Sequence, residues 1–129
     1  MVPPPYVELF AQLEQADGSV SLPFPIWREG FINDASLELA QTAYDKLNPH
    51  PNKTFKDAIT LSTNPADMQI PKSYINGTED TALPHSMPYH PRLSEKLGLY
   101  RLVQAPGSHE LCFTNPKLLA VKIMEAGRD

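Results

Sequence analysis

The sequence predicts an α/β fold, with a mainly helical first half and a parallel strand–helix–strand–helix unit in the second. Three observations carry this. Apolar residues recur at helical spacing in two stretches of the first half. Two short runs in the second half, residues 73–76 and 99–103, read as strands, and helix boundary signals sit between and after them. The 129 residues, 41% hydrophobic, suffice for one modest core and not for two independent ones.

Each element has a local reason. Tyr6, Leu9, Phe10 and Leu13 share one helical face, and the pattern stops at Asp17-Gly18. From Ser19 to Gly30 the anchors Phe24, Ile26 and Trp27 lie among prolines, which reads as an ordered loop or short strand. A second helix follows, with Asn33 or Asp34 as its cap and Leu37, Ala40, Tyr44 and Leu47 on one face until Asn48-Pro49 ends it. Between Pro49 and Pro71 the periodicity fades. Ser73-Tyr74-Ile75-Asn76 then reads as a buried strand ending at Gly77. Pro91 at a first helical position, Leu93 and Leu97 on one face, and Gly98 beyond them predict a compact helix. Leu99 to Val103 is the second strand, bounded by Pro106-Gly107. Asn115 and Pro116 open a last helix that runs through Leu119 and Ile123 to Gly127.

Composition excludes several functions. Eleven Lys and Arg against fifteen Asp and Glu give a net charge of −4, so no basic surplus is available for nucleic acid or anionic lipid. No stretch approaches the roughly 20 apolar residues of a membrane span, and Met1-Val2-Pro3-Pro4 does not begin a leader. The expectation is a soluble, unprocessed chain. Cys112 is the single cysteine, which allows neither an internal disulfide nor a zinc set and is read as buried packing; a reducing, cytoplasmic setting is the simpler expectation. His85 and His90 stand five apart among Pro84, Pro88 and Pro91, outside any regular metal-binding spacing. No metal and no cofactor is expected.

The order of elements has a geometric consequence. Two strands joined by a crossover helix normally lie parallel in one sheet, so the loops that follow them open on the same edge, where ligand crevices of open α/β sheets form. The first loop carries Asp80 and the second His109, twenty-nine positions later. A carboxylate beside an imidazole fixes its tautomer and stabilises the imidazolium formed when the ring takes a proton. Spacing alone leaves open that Asp80 is a turn residue and that His109 caps a bend. Phe24, Trp27 and Phe31 likewise either line an apolar pocket or serve packing.

At these residues the sequence also resembles a known family. Ile70-Pro71-Lys72-Ser73-Tyr74-Ile75-Asn76-Gly77-Thr78-Glu79-Asp80-Thr81-Ala82-Leu83-Pro84 is similar to the penultimate core strand and acid loop of α/β-hydrolases. Tyr100-Arg101-Leu102-Val103-Gln104-Ala105-Pro106-Gly107-Ser108-His109-Glu110, followed by Thr114-Asn115-Pro116, is similar to their last strand, catalytic histidine and closing helix. The branch it most resembles is that of plant methylesterases, hydroxynitrile lyases and bacterial esterase relatives, whose cap segments look like Phe31-Ile32-Asn33-Asp34 and Leu47-Asn48-Pro49. The resemblance implies a partial α/β-hydrolase fold, with residues 1–70 as a cap-like helical segment and 71–129 as the carboxyl-terminal part of the core. It implies Asp80 as the acid and His109 as the base. Where that branch often has Asp before the histidine, this chain has Ser108.

The family carries its nucleophile on a Gly-x-Ser-x-Gly turn ahead of the acid and the histidine. None of the eight serines here has those flanking glycines, and a complete fold of this kind needs roughly 200–250 residues. Two expectations follow. One is the acid- and base-bearing part of a carboxylic-ester hydrolase, acting on a small apolar ester once a complementary amino-terminal chain supplies the serine. The other is a catalytically silent interaction module that covers its exposed sheet edge by homo-oligomerisation.

Overall fold

In the computed structural model, which describes residues 3–128, Pro3 is extended and leads into α1 (Pro4–Leu13). Met1 and Val2, on which the leader reading falls, and Asp129 lie outside the described residues. Pro4 and Pro5 open α1, where the missing N–H groups have no intrahelical partner in any case. After the turn at Gly18, β1 (Ser19–Val20) pairs antiparallel with β2 (His50–Pro51) and bridges back to Glu14.

The stretch expected as loop or strand is only briefly a strand. It continues into α2 (Phe24–Ile26) and a five-residue π-helical turn, Trp27–Phe31. Pro23 and Pro25 permit this, since the first is the extended residue before the helix and the second lies in its first turn. Helix α3 (Leu37–Tyr44) is shorter than expected and is capped by neither Asn33 nor Asp34. Ser36 takes the cap, its Oγ accepting from the Leu39 N–H at 3.2 Å. Leu37 is 66% exposed, and it is Ala40 and Ala43 that turn inward against Trp27, Ile32 and Ala35 to make the main core cluster. Trp27 Nε1 donates to the Ala40 carbonyl at 3.2 Å, and the Tyr44 hydroxyl to that of Leu22 at 2.6 Å, so both polar tips are satisfied. A short helix α4 (Lys53–Lys56) and a 3-10 turn, Pro65–Asp67, interrupt the following connection.

In the second half β3 (Ser73–Gly77) and β4 (Arg101–Ala105) pair parallel, from Ser73 opposite Arg101 to Gly77 opposite Ala105. The expected β4 starts two residues too early. The compact crossover helix is also corrected: residues 91–97 are turns that close in a single 3-10 turn, Ser94–Leu97. The cause is side-chain competition for the backbone. Buried Ser94 donates to the Pro91 carbonyl at 3.1 Å and meets His90 Nδ1 at 2.7 Å and the Tyr100 hydroxyl at 3.0 Å. After β4 a short α5 (Leu111–Thr114) precedes α6 (Pro116–Ala126), whose cap Asn115 accepts from the Leu118 N–H at 3.1 Å. Helix α6 packs across both strands. Among the described residues no helix is long and apolar enough to cross a membrane.

Candidate active site

The loops after β3 and β4 run side by side because their backbones continue to bond beyond the strands. The Thr78 N–H reaches the Ala105 carbonyl at 2.9 Å and the Glu79 N–H that of Gly107 at 3.0 Å. Gly77 makes the approach possible, since a Cβ there would lie 3.0 Å from the Ser108 carbonyl oxygen. Asp80 and His109 meet at this edge, with Asp80 Oδ2 2.8 Å from His109 Nδ1. The second carboxylate oxygen accepts from the Ala82 N–H at 2.8 Å. A carboxylate acceptor fixes the proton on Nδ1 and leaves Nε2 as the basic nitrogen.

The side chains of His109 and Asp80 are 34% and 15% exposed, so the pair is partly shielded while the imidazole stays reachable. The hydrogen bond to Asp80 raises the His109 pKa above its ordinary value; burial opposes this, and the charges of Asp80 and Glu110 add to it. Two aromatic rings hold the imidazole. Tyr89 stacks on it at 5.5 Å between centroids with 21° between planes, and Phe31 meets it edge-on at 5.5 Å and 84°. Burial, with the charge of Asp80 second, pushes the Tyr89 phenol up to about 12, so it stays neutral.

His109 opens on a cavity of about 600 Å³ whose wall is mainly apolar, including Tyr6, Phe10, Trp27, Phe31 and Leu93. Trp27 and Phe31 thus both pack and line it, stacked at 6.1 Å with 14° between planes. The size and lining suit a small apolar molecule.

Other candidates sit elsewhere. Ser108 is buried, its Oγ accepting from the Glu110 N–H at 3.3 Å. Cys112 is exposed, which corrects its reading as packing. The single turn of α5 points Leu111 inward and leaves Cys112 outward. Burial and then Glu110 raise its thiol pKa, which disfavours the thiolate. His90 is held by Ser94, and among the described residues no three His, Cys, Asp or Glu side chains converge as a metal set.

Two site residues carry no sequence signal that points to their part here. Tyr89 had only its place in the proline-rich loop 84–91 as a signal. Asp34 is a candidate helix cap by sequence, but its Oδ2 instead accepts from the Ser108 N–H at 3.1 Å and the Thr114 hydroxyl at 3.0 Å. Burial works to raise the Asp34 pKa, and these hydrogen bonds outweigh it to leave the carboxyl below its ordinary range.

Gly107 has φ +138°, and a Cβ on it would overlap Leu111 Cδ2 and lie 3.2 Å from Asp34 Oδ2. Gly107→Ala is therefore expected to cost about 1–3 kcal/mol or more in a chemical-denaturation experiment, through backbone strain and steric overlap. An unchanged unfolding midpoint would contradict this.

No protein-family model and no curated protein matches the chain. Among solved structures it is similar to an extracellular α/β-hydrolase from a Paenibacillus species, described as sharing structural and functional homology with tobacco salicylic acid binding protein 2. The sequences are 37% identical and the TM-score is 0.90. The match covers 98% of this chain and 54% of the other, so the chain spans about half the length of that structure. One expectation is corrected by it: the matched protein is extracellular, which points away from a cytoplasmic setting. The lone cysteine behind that expectation decides nothing, because a chain with no disulfide to lose is compatible with either environment. This chain has a partial α/β-hydrolase fold and resembles that hydrolase over nearly its whole length.

Proposed function

We propose that this chain is the acid- and base-bearing, carboxyl-terminal part of a carboxylic-ester hydrolase. The observation that carries the reading is the 2.8 Å contact between Asp80 and His109, whose imidazole forms part of the wall of an apolar cavity. In this reading Asp80 orients the imidazole, and His109 Nε2 takes the proton from a serine hydroxyl outside these 129 residues as its oxygen attacks the ester carbonyl. The imidazolium returns that proton to the departing alcohol. Water then attacks the acyl-enzyme by the same exchange, releasing the acid and restoring the serine. The residues that line the cavity, most of them from the segment 1–70 that acts as a cap, enclose the apolar part of a small ester.

The serine and the oxyanion donors belong, on this reading, to the other half of the fold. Strand β3 has a partner on one side only among the described residues, which gives that half an edge to extend. A second reading, an oligomeric binding module without chemistry, is favoured by the absence of a Gly-x-Ser-x-Gly turn from this sequence.

A fluorophosphonate probe followed by intact-mass spectrometry separates them. With an amino-terminal hydrolase half co-expressed, the expected result is one adduct, on that half, whose formation needs His109. No adduct on either chain, with the 129-residue chain self-associated, would favour the silent module.

A further inference from the structure

Residues 29–34, the end of the π-helical turn and the loop after it, bond to both loops of the candidate site. Around Asp80, the Thr81 hydroxyl donates to the carbonyls of Glu29 and Gly30 at 3.2 and 3.1 Å, and Asn33 Nδ2 donates to the Glu79 carbonyl at 3.1 Å. Around His109, the Ser108 N–H donates to Asp34 Oδ2 at 3.1 Å and the Glu110 N–H to the Phe31 carbonyl at 3.2 Å. The residues on either side of the acid and on either side of the imidazole are thus tied to one six-residue stretch. Phe31 adds its ring edge to the imidazole itself.

We infer that residues 29–34 are a positioning clasp that sets the Asp80–His109 geometry, with Asp34 and Thr81 as its main anchors. Neither anchor needs to touch substrate. Asp34 acts through the Ser108 backbone, and through Thr114 it also holds the end of α5. The two strands alone fix where the loops begin, whereas a hydrogen bond between side chains at loop tips requires each tip to be held within a fraction of an ångström. The clasp rests on the proposed function for what the pair does, and on geometry alone for how the pair is held.

The test is an NMR titration of the His109 imidazole in the full chain, assigned by comparison with His109→Ala. The groups facing the ring are the carboxylates of Asp80 and Glu110 and the phenol of Tyr89. Asp80→Asn is the reference and is expected to lower the midpoint by about 1–2 pH units, through loss of the charged partner. Asp34→Ala and Thr81→Val are each expected to lower it by about half a unit while melting stays cooperative, because a loosened loop weakens the same hydrogen bond. Asp34→Asn keeps an acceptor oxygen and is expected to retain most of the wild-type midpoint.

Wild-type midpoints in Asp34→Ala and Thr81→Val, beside a shifted Asp80→Asn, would overturn the clasp. So would an Asp34→Asn shift equal to that of Asp34→Ala with Thr81→Val unmoved, which would mean that the charge of Asp34 acts on the ring directly. If Asp34→Ala does not fold, Thr81→Val and Asn33→Ala decide by the same signs. Failure of probe labelling in the complemented wild type would count against the hydrolase reading and leave these midpoints as they are.

Discussion

His109→Ala, in the chain complemented by a nucleophile-bearing half, is expected to lower ester hydrolysis by about 10⁴- to 10⁶-fold, the range seen when a triad base is removed elsewhere. The loss should fall on kcat. Substrate binding rests on the cavity wall, of which the imidazole is one part among Tyr6, Phe10, Trp27, Phe31 and Leu93. Saturation kinetics in wild type and variant, with melting curves to show that the fold persists, make the measurement. Equal kcat values would remove the proposed role of His109, and an effect confined to KM would make it a binding residue only.

Asp80→Asn is expected to cost about 10⁴-fold in the same assay, since an amide no longer holds the imidazole in the tautomer that leaves Nε2 basic. The pH profile adds a sign. A general base works unprotonated, and Asp80 raises the His109 pKa above its ordinary value, so wild-type activity should climb with pH through that raised midpoint. In the variant the residual activity should climb at lower pH. Stability runs the other way: a raised histidine pKa contributes fully below the ordinary imidazole range and is lost as the pH rises through the raised value. The melting-temperature advantage of wild type over Asp80→Asn from this pairing should therefore narrow as activity increases. A variant whose pH profile overlays that of wild type would show that the 2.8 Å contact does not govern the base.

The parallel strands and the meeting of Asp80 with His109 were legible because each depends on short-range signals plus one topological rule. Gly77 and Pro106-Gly107 mark the strand ends, and parallel pairing brings the following loops to one edge. The crossover departs from its expected helix although Pro91, Leu93, Leu97 and Gly98 have the spacing of one. Local spacing is blind to Ser94, whose hydroxyl finds the Pro91 carbonyl, His90 and Tyr100 instead. Asp34 shows the same limit more sharply. By local chemistry it is a helix cap, but its donors are 74 and 80 residues away, and Ser36 takes the cap. The aromatic ring on His109 from Tyr89 had no periodicity to announce it, since it comes from an irregular loop.

The bonds from residues 29–34 to the two loops and to the end of α5 span 46 to 80 positions of chain. Closing spans of that length loses more chain entropy than forming a helical turn, so these contacts are expected to follow the helical turns in folding. Helices α1 and α6 can form from neighbours in sequence, whereas the acid–imidazole geometry waits for distant segments to meet. A local opening that parts residues 29–34 from the two loops would break that geometry. An opening of this kind would silence the pair while leaving most of the helical signal in place, so far-ultraviolet dichroism would be a poor guide to whether the site is assembled.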